Sequence, residues 1–267
     1  MPVINVNHFS MYLRRNMDCT VVLPEKLDKD EQLKCIWLYH GSSGDHRAWL
    51  YHAPLVEHVQ ERHCAMVLPN VNESCFVDMN IGDRYGTYVG KELPSIIHNM
   101  FRCISSKRED NYVAGFSNGG YGCFHTIFSY PQKYSIVGAF SAGDKADADF
   151  PNDGRAKSIN RIRLFGDGDI HNTDYSIIHL ADKLLQDYKD KNKLSGKPIK
   201  LPRIYHACGG KDPWLDANHI VREYFVAHGD EYDYTYDEIS NLGHEWKFWQ
   251  IELEKFMDYA GLKKNNA

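Results

Sequence analysis

The stretch NYVAGFSNGGYG, residues 111–122, decides how this chain is read. It sets a serine between glycines where a short apolar run gives way to a segment of helical pattern, NGGYGCFHTIFSY. By composition alone G-x-S-x-G arises roughly 0.1 times in a chain of this length, so the pentapeptide matters only in its setting. A strand that turns sharply into a helix strains the residue at the turn and exposes its side chain. Gly115 and Gly119 leave room for such a turn to pack. Ser117 is therefore a candidate nucleophile, the alternative being a strand-end turn without chemistry.

Working outward, short β-rich runs recur at 19–24, 34–41, 64–71, 134–143 and 201–210, often ending in Gly, Pro or Asn. Between them, residues 88–104, the segment after Ser117, 173–190 and 216–228 carry apolar residues at helical spacing. Continuous apolar strands alternating with helices predict an α/β fold with a mostly parallel central sheet covered on both faces. Residues 1–267 read as one domain, without internal repeats or low-complexity tracts. The polar, turn-rich stretch 142–173 is an excursion above that sheet: either a lid or substrate loop, or a solvated surface loop.

Composition narrows the partners. The chain is 43% apolar and 25% charged with a net charge of −5, and no run of five or more like charges occurs, so nucleic-acid and anionic-membrane binding are not expected. No window reaches the ~18 apolar residues of a membrane span, and the N-terminus lacks a signal-peptide pattern. Seven scattered cysteines without a C-x-x-C pair suggest reduced, buried thiols and a cytoplasmic setting. Nothing in the composition decides whether the chain forms a homo-oligomer.

A serine hydroxyl attacks only when a base removes its proton, so Ser117 calls for a histidine and a carboxylate that orients it. Where a serine nucleophile sits in such a strand-to-helix elbow, its partners are expected in the chain order Ser, acid, His. RIYHACGGKDPWLD places Asp212 just past a late strand, while its rival Asp216 falls where a helix begins and reads as an N-cap. NLGHEWKFWQIELEKFM places His244 in a loop before a terminal helix, and Trp246, Trp249, Leu253 and Phe256 form the core-facing stripe that anchors it. An oxyanion hole would use the backbone N–H of Asn118 and one from the loop after His40-Gly41, for which Ser42 is the choice; His40 reads as structural. That loop lacks a G-K-[ST] ending, which argues against nucleotide binding.

Two further constellations compete. Asp167, Asp169 and His171 are spaced like the start of a calcium loop, but the sixth position is Asn172 and the twelfth Ile178, so a polar turn with Thr173 or Asp174 capping the next helix is expected. His206 and Cys208 share one strand face and read as inert packing.

Taken together, HGSSGDHRAWL, YVGKELP, GFSNGGYG, CGGKDPWLD and GHEWKFW resemble the bacterial tributyrin esterase family, relatives of esterase D and of the feruloyl and acetylxylan esterases. The resemblance spans nearly the whole chain. It implies the α/β-hydrolase fold and the triad Ser117, Asp212 and His244, the same three residues the spacing selects. One departure is Ser-Ser-Gly after His40-Gly41, where relatives often carry a bulky apolar residue first. The expected activity is that of a serine carboxylesterase using an acyl-enzyme on a small-molecule ester. The resemblance adds short acyl chains, acetyl to butyryl, on aryl or carbohydrate alcohols. No metal or cofactor is expected, and Phe76, Met79, Tyr85 and Trp214 are the candidate pocket walls. An S-formylglutathione hydrolase-like thioesterase or an acyltransferase would keep the same triad, whereas a non-catalytic binding module on this fold would normally have lost part of it.

Overall fold

The computed structural model describes residues 2–147, 156–194 and 200–265. Its strands are β1 (Val3–Ser10), β2 (Arg15–Val22), β3 (Cys35–Tyr39), β4 (Ala65–Pro69), β5 (Asn111–Phe116), β6 (Ile136–Phe140), β7 (Arg203–Gly209) and β8 (Tyr234–Ile239). They form an eight-stranded sheet in the order β1-β2-β4-β3-β5-β6-β7-β8. β1 and β2 pair antiparallel, β2 meets β4 antiparallel, and every pairing from β4 to β8 is parallel.

Helices cover both faces, which is why β3, β4, β5 and β6 are buried at every residue. Because side chains alternate along a strand, Trp37 and Tyr39 face one core and Ile36 and Leu38 the other. The first core is closed by α3 (Tyr85–Thr87), α4 (Leu93–Met100), α5 (Asn118–Ser129), α7 (Ile177–Leu194) and α8 (Leu215–Ala227). The second is closed by α1 (Ala48–His52), α2 (Leu55–Arg62) and α9 (Trp246–Tyr259). Trp249, Leu253 and Phe256 of the expected stripe are buried in it, and Trp246 packs edge-on against Trp49.

Several sequence expectations need correction. The helix expected over 88–104 starts at Tyr85, passes through a π turn at Tyr88–Glu92 and ends at Met100. The polar excursion 142–173 contains a helix, α6 (Ala156–Phe165), whose Leu164 and Phe165 are buried; residues 148–155 of that stretch lie outside the described residues. α7 is capped by neither Thr173 nor Asp174 but by Ser176, whose Oγ accepts the His179 N–H at 3.2 Å. Asp216 is not an N-cap: it sits exposed inside the first turn of α8, which begins after Trp214. Among the described residues no helix is long and apolar enough to cross a membrane.

Candidate active site

The carboxyl ends of β3, β5, β6 and β7 point to one edge of the sheet, where open α/β sheets place their ligand sites. Ser117 follows β5 directly. Its backbone has φ 56° and ψ −124°, a conformation costly for a residue with a Cβ. Its N–H bonds the Phe140 carbonyl at 2.8 Å and its carbonyl accepts the Tyr121 N–H at 3.0 Å, so sheet and helix hold the turn from both sides. A Cβ on Gly115 would meet Tyr39 at 2.8 Å, and one on Gly119 would meet the His40 carbonyl at 2.4 Å. Only glycine allows α5 to start that close to β3.

Asp212 and His244 are brought together by two loops joined through backbone bonds. Lys211 N–H bonds the Leu242 carbonyl at 2.9 Å, and Gly210 N–H bonds that of Ile239 at 2.9 Å. Gly209 permits the approach, since its Cβ would lie 2.6 Å from the Leu242 carbonyl oxygen. His244 Nδ1 then stands 2.8 Å from Asp212 Oδ2, and Nε2 stands 3.0 Å from Ser117 Oγ. An ionised carboxylate only accepts, so Nδ1 carries the proton and Nε2 offers its lone pair to the serine. The imidazole is wedged between the rings of Trp214 and Trp249, with centroids 4.8 and 4.9 Å away, both edge-to-face.

The Asp212 side chain is fully buried. Burial alone would raise its pKa, but bonds from His244, from the Trp214 N–H at 2.9 Å and from Ser141, with the charge on His244, outweigh it and leave the carboxyl below its ordinary value. Ser141 Oγ in turn accepts the Trp249 indole N–H at 3.1 Å. Sequence reasoning missed Ser141; its only signal is a serine at the end of β6, in AFSAG.

Ser117, Ser42 and Asn118 line an open cavity of about 780 Å³. Asn118 Nδ2 donates to Ser42 Oγ at 2.6 Å, tying the turn after β5 to the loop after β3. His40 is buried beneath that loop, with Nδ1 2.8 Å from the Gly41 carbonyl and Nε2 3.4 Å from the Val71 nitrogen; burial lowers its pKa. Met79, Tyr85 and Trp214 line the cavity. Phe76 does not: it is 1% exposed and stacks on the Tyr39 ring at 4.1 Å, in the core behind the site.

Away from the cavity, Asp169 Oδ1 accepts the His171 N–H at 3.0 Å, and His171 Nε2 lies 3.1 Å from Asp147. Bonding to Asp169 and then to Asp147 raises the His171 pKa. Among the described residues, no group of three or more His, Cys, Asp or Glu side chains is disposed to hold a metal ion. His206 is bonded to Tyr234 and Asn218, each at 2.9 Å, and Cys208 is buried with its thiol pKa pushed up by burial.

A family model described as "Putative esterase" matches residues 10–257. An acetyl esterase of Caldicellulosiruptor saccharolyticus is 30% identical over 264 residues, covering 93% of this chain and 94% of the relative. Among solved structures, fluorophosphonate-binding serine hydrolase F of Staphylococcus aureus, in a substrate-bound form, aligns with a TM-score of 0.82 at 22% identity, over 97% of this chain and 98% of its own. An S-formylglutathione hydrolase of the same organism aligns with a TM-score of 0.78 at 23% identity, over 97% and 98%. The architecture is that of the α/β-hydrolases.

Proposed function

The chain belongs to this esterase family, and from that premise we propose that it is a serine carboxylesterase acting on short-chain acyl esters, acetyl to butyryl, through an acyl-enzyme. The observation that carries the reading is the continuous chain of hydrogen bonds from Asp212 through His244 to Ser117 at the wall of an open cavity. Ser117 Oγ attacks the acyl carbon while its proton passes to His244 Nε2. The N–H groups of Ser42 and Asn118 take up the charge on the carbonyl oxygen. His244 then protonates the departing alcohol, water attacks the acyl-enzyme with His244 as base, and the acid leaves as the proton returns to Ser117 Oγ. Asp212 holds the imidazole tautomer and stabilises its charged form throughout.

Gly143, Lys145, Asn160 and Arg163 all border the cavity, which supports 142–173 as a substrate loop of a single domain. The cationic Arg163 also favours a second reading, a thioesterase of the S-formylglutathione type, because that thiol component bears carboxylates. Seven free cysteines, six of them buried, support a reducing, cytoplasmic setting.

Two measurements test these readings. Ser117→Ala should lower kcat on 4-nitrophenyl acetate by about 10⁴ to 10⁶ and abolish covalent capture of a fluorophosphonate probe. A variant that keeps a tenth of the wild-type rate puts the chemistry elsewhere. A panel of 4-nitrophenyl acyl esters beside S-formylglutathione and methyl ferulate then separates carboxylesterase from thioesterase by kcat/KM.

A further inference from the structure

The mechanism above uses Asn118 for its main-chain N–H and gives no task to its side chain or to the cation beside it. Lys145 Nζ donates to Asn118 Oδ1 at 2.9 Å, and Asn118 Nδ2 donates to Ser42 Oγ at 2.6 Å. An ammonium group can only donate, so the carboxamide oxygen must face Lys145 and its NH₂ must face Ser42. Charge therefore sets the orientation of the amide. Asn118 begins α5 immediately after the nucleophile, and Ser42 opens the loop after β3. The chain from Lys145 through Asn118 to Ser42 joins the two segments whose N–H groups are to receive the oxyanion, and all three residues border the cavity.

Lys145 is itself held in place. Its neighbour Asp144 is fully buried and accepts from Ser176 Oγ at 2.7 Å, from the Ile178 N–H at 3.1 Å and from the Ala146 N–H at 3.1 Å. These bonds fasten the segment after β6 to the start of α7. The ammonium also lies 5.6 Å from the centroid of the Tyr121 ring. Burial pulls its pKa below the usual lysine value. A cation kept in such a place is costly unless its partners use its charge.

We propose that Lys145 is a positioning residue for ester hydrolysis, which through the Asn118 carboxamide fixes Ser42 and so sets the spacing of the two oxyanion N–H groups. This rests on the proposed serine-esterase function, with Ser117 as the nucleophile and Ser42 and Asn118 as the oxyanion donors. Lys145 acts at one remove, so its effect falls on the rate of the chemical step and not on substrate affinity.

The test is a double-mutant cycle on the full chain with 4-nitrophenyl acetate, kcat being taken per site titrated with a fluorophosphonate. Lys145→Met should lower kcat by about 10- to 100-fold, the scale of a misplaced reacting group, while KM stays within about twofold; Lys145→Arg, which keeps charge and donors, should recover most of the loss. Asn118→Ala retains the main-chain N–H but cuts the link, so adding Lys145→Met to it should cost less than about twofold more. Ser42→Ala gives an arm independent of how Lys145 packs: it keeps the main-chain N–H but removes the hydroxyl that Asn118 Nδ2 holds, and kcat should fall. The proposal is overturned if Lys145→Met leaves kcat within twofold, if it moves KM alone, if its cost is equal in both backgrounds, or if Ser42→Ala is as fast as wild type. Failure of the underlying reading looks different, because Ser117→Ala would then keep its turnover.

Discussion

Replacing Gly119 by alanine tests whether the position of the nucleophile is set by the contact between α5 and the end of β3. The added Cβ would lie 2.4 Å from the His40 carbonyl oxygen and 2.7 Å from that of Tyr39, whereas ordinary contact begins near 3.4 Å. Both obstacles are backbone atoms of a buried strand and its exit, so neither can swing aside. The first turn of α5 must retreat by the difference, 3.4 minus 2.4 or about 1 Å, carrying Ser117 and Asn118 with it. His244 stays behind, because its loop is fastened to the β7 turn through Lys211 and Gly210. The 3.0 Å contact between Ser117 Oγ and His244 Nε2 then lengthens or tilts, and the Asn118 N–H loses its aim. A displacement of that size costs about 10²-fold in kcat. Overpacking adds roughly 1–3 kcal/mol of destabilisation, and each kcal/mol lowers Tm by about 2–4 °C for a domain of this size. The assay is kcat on 4-nitrophenyl acetate per fluorophosphonate-titrated site, with thermal unfolding measured in parallel. Gly168→Ala is the control, since nothing lies within 4 Å of its Cβ position, and it should match wild type in both. If Gly119→Ala folds and keeps kcat within about threefold, close packing at Gly119 does not set the position of Ser117.

Asp212→Asn should lower kcat by about 10³ to 10⁴ by stabilising the wrong imidazole tautomer, whereas Asp216→Asn, in the exposed first turn of α8, should cost no more than about 1 kcal/mol of stability; the reverse pattern would refute the assignment of the acid. His206 is fully buried, and burial pulls its pKa from the usual 6.5 down to about 4. The unfolded chain therefore binds a proton in that window that the folded chain does not, so the stability is complete above about pH 6.5 and is lost as pH falls toward 4, on the order of 3 kcal/mol from this group. His206→Gln should flatten the dependence of Tm on pH between those limits, and an unchanged slope would discount the effect.

How much of the fold can be read from the sequence follows from burial. The central strands are continuous apolar runs because helices pack on both of their faces, and the runs around 36, 67, 113 and 137 stand out without any knowledge of the fold. β1 and β8 escape notice because they are the two edges of the sheet. VINVNHFS buries only Val6 and Ser10 and YTYDEI buries none of its residues fully, which is how edge strands avoid unwanted pairing and also how they lose their hydrophobic signal. α6 is hidden for a related reason: AKSINRIRLF buries Leu164 and Phe165 at one end and lies in a stretch otherwise dominated by charge.

The candidate site divides along the same physical line. Ser117, Asp212 and His244 each follow closely on a strand, and strand ends in a parallel sheet share one edge, so chain order alone brings them within reach of one another. Ser141 and Lys145 escape because each acts on a partner distant in sequence, and no periodicity encodes a contact of that kind. Phe76 is misread for a third reason: Cys75 and Phe76 both adopt positive φ, 53° and 62°, which turns the ring inward onto Tyr39 instead of outward to the cavity. The same backbone feature recurs around the cavity. Ser43, Asn72, Cys75, Ser117 and Ser141 all border it with φ between 50° and 58°. Each costs roughly 1–2 kcal/mol relative to an unstrained residue and persists only where its surroundings leave no alternative. The bonds around Ser117, Ser141 and His40 supply that constraint, so the cooperativity of the sheet is what holds these serines in conformations their own chemistry disfavours. Local sequence preference is weakest where strain is concentrated, and in this chain that is the rim of the cavity.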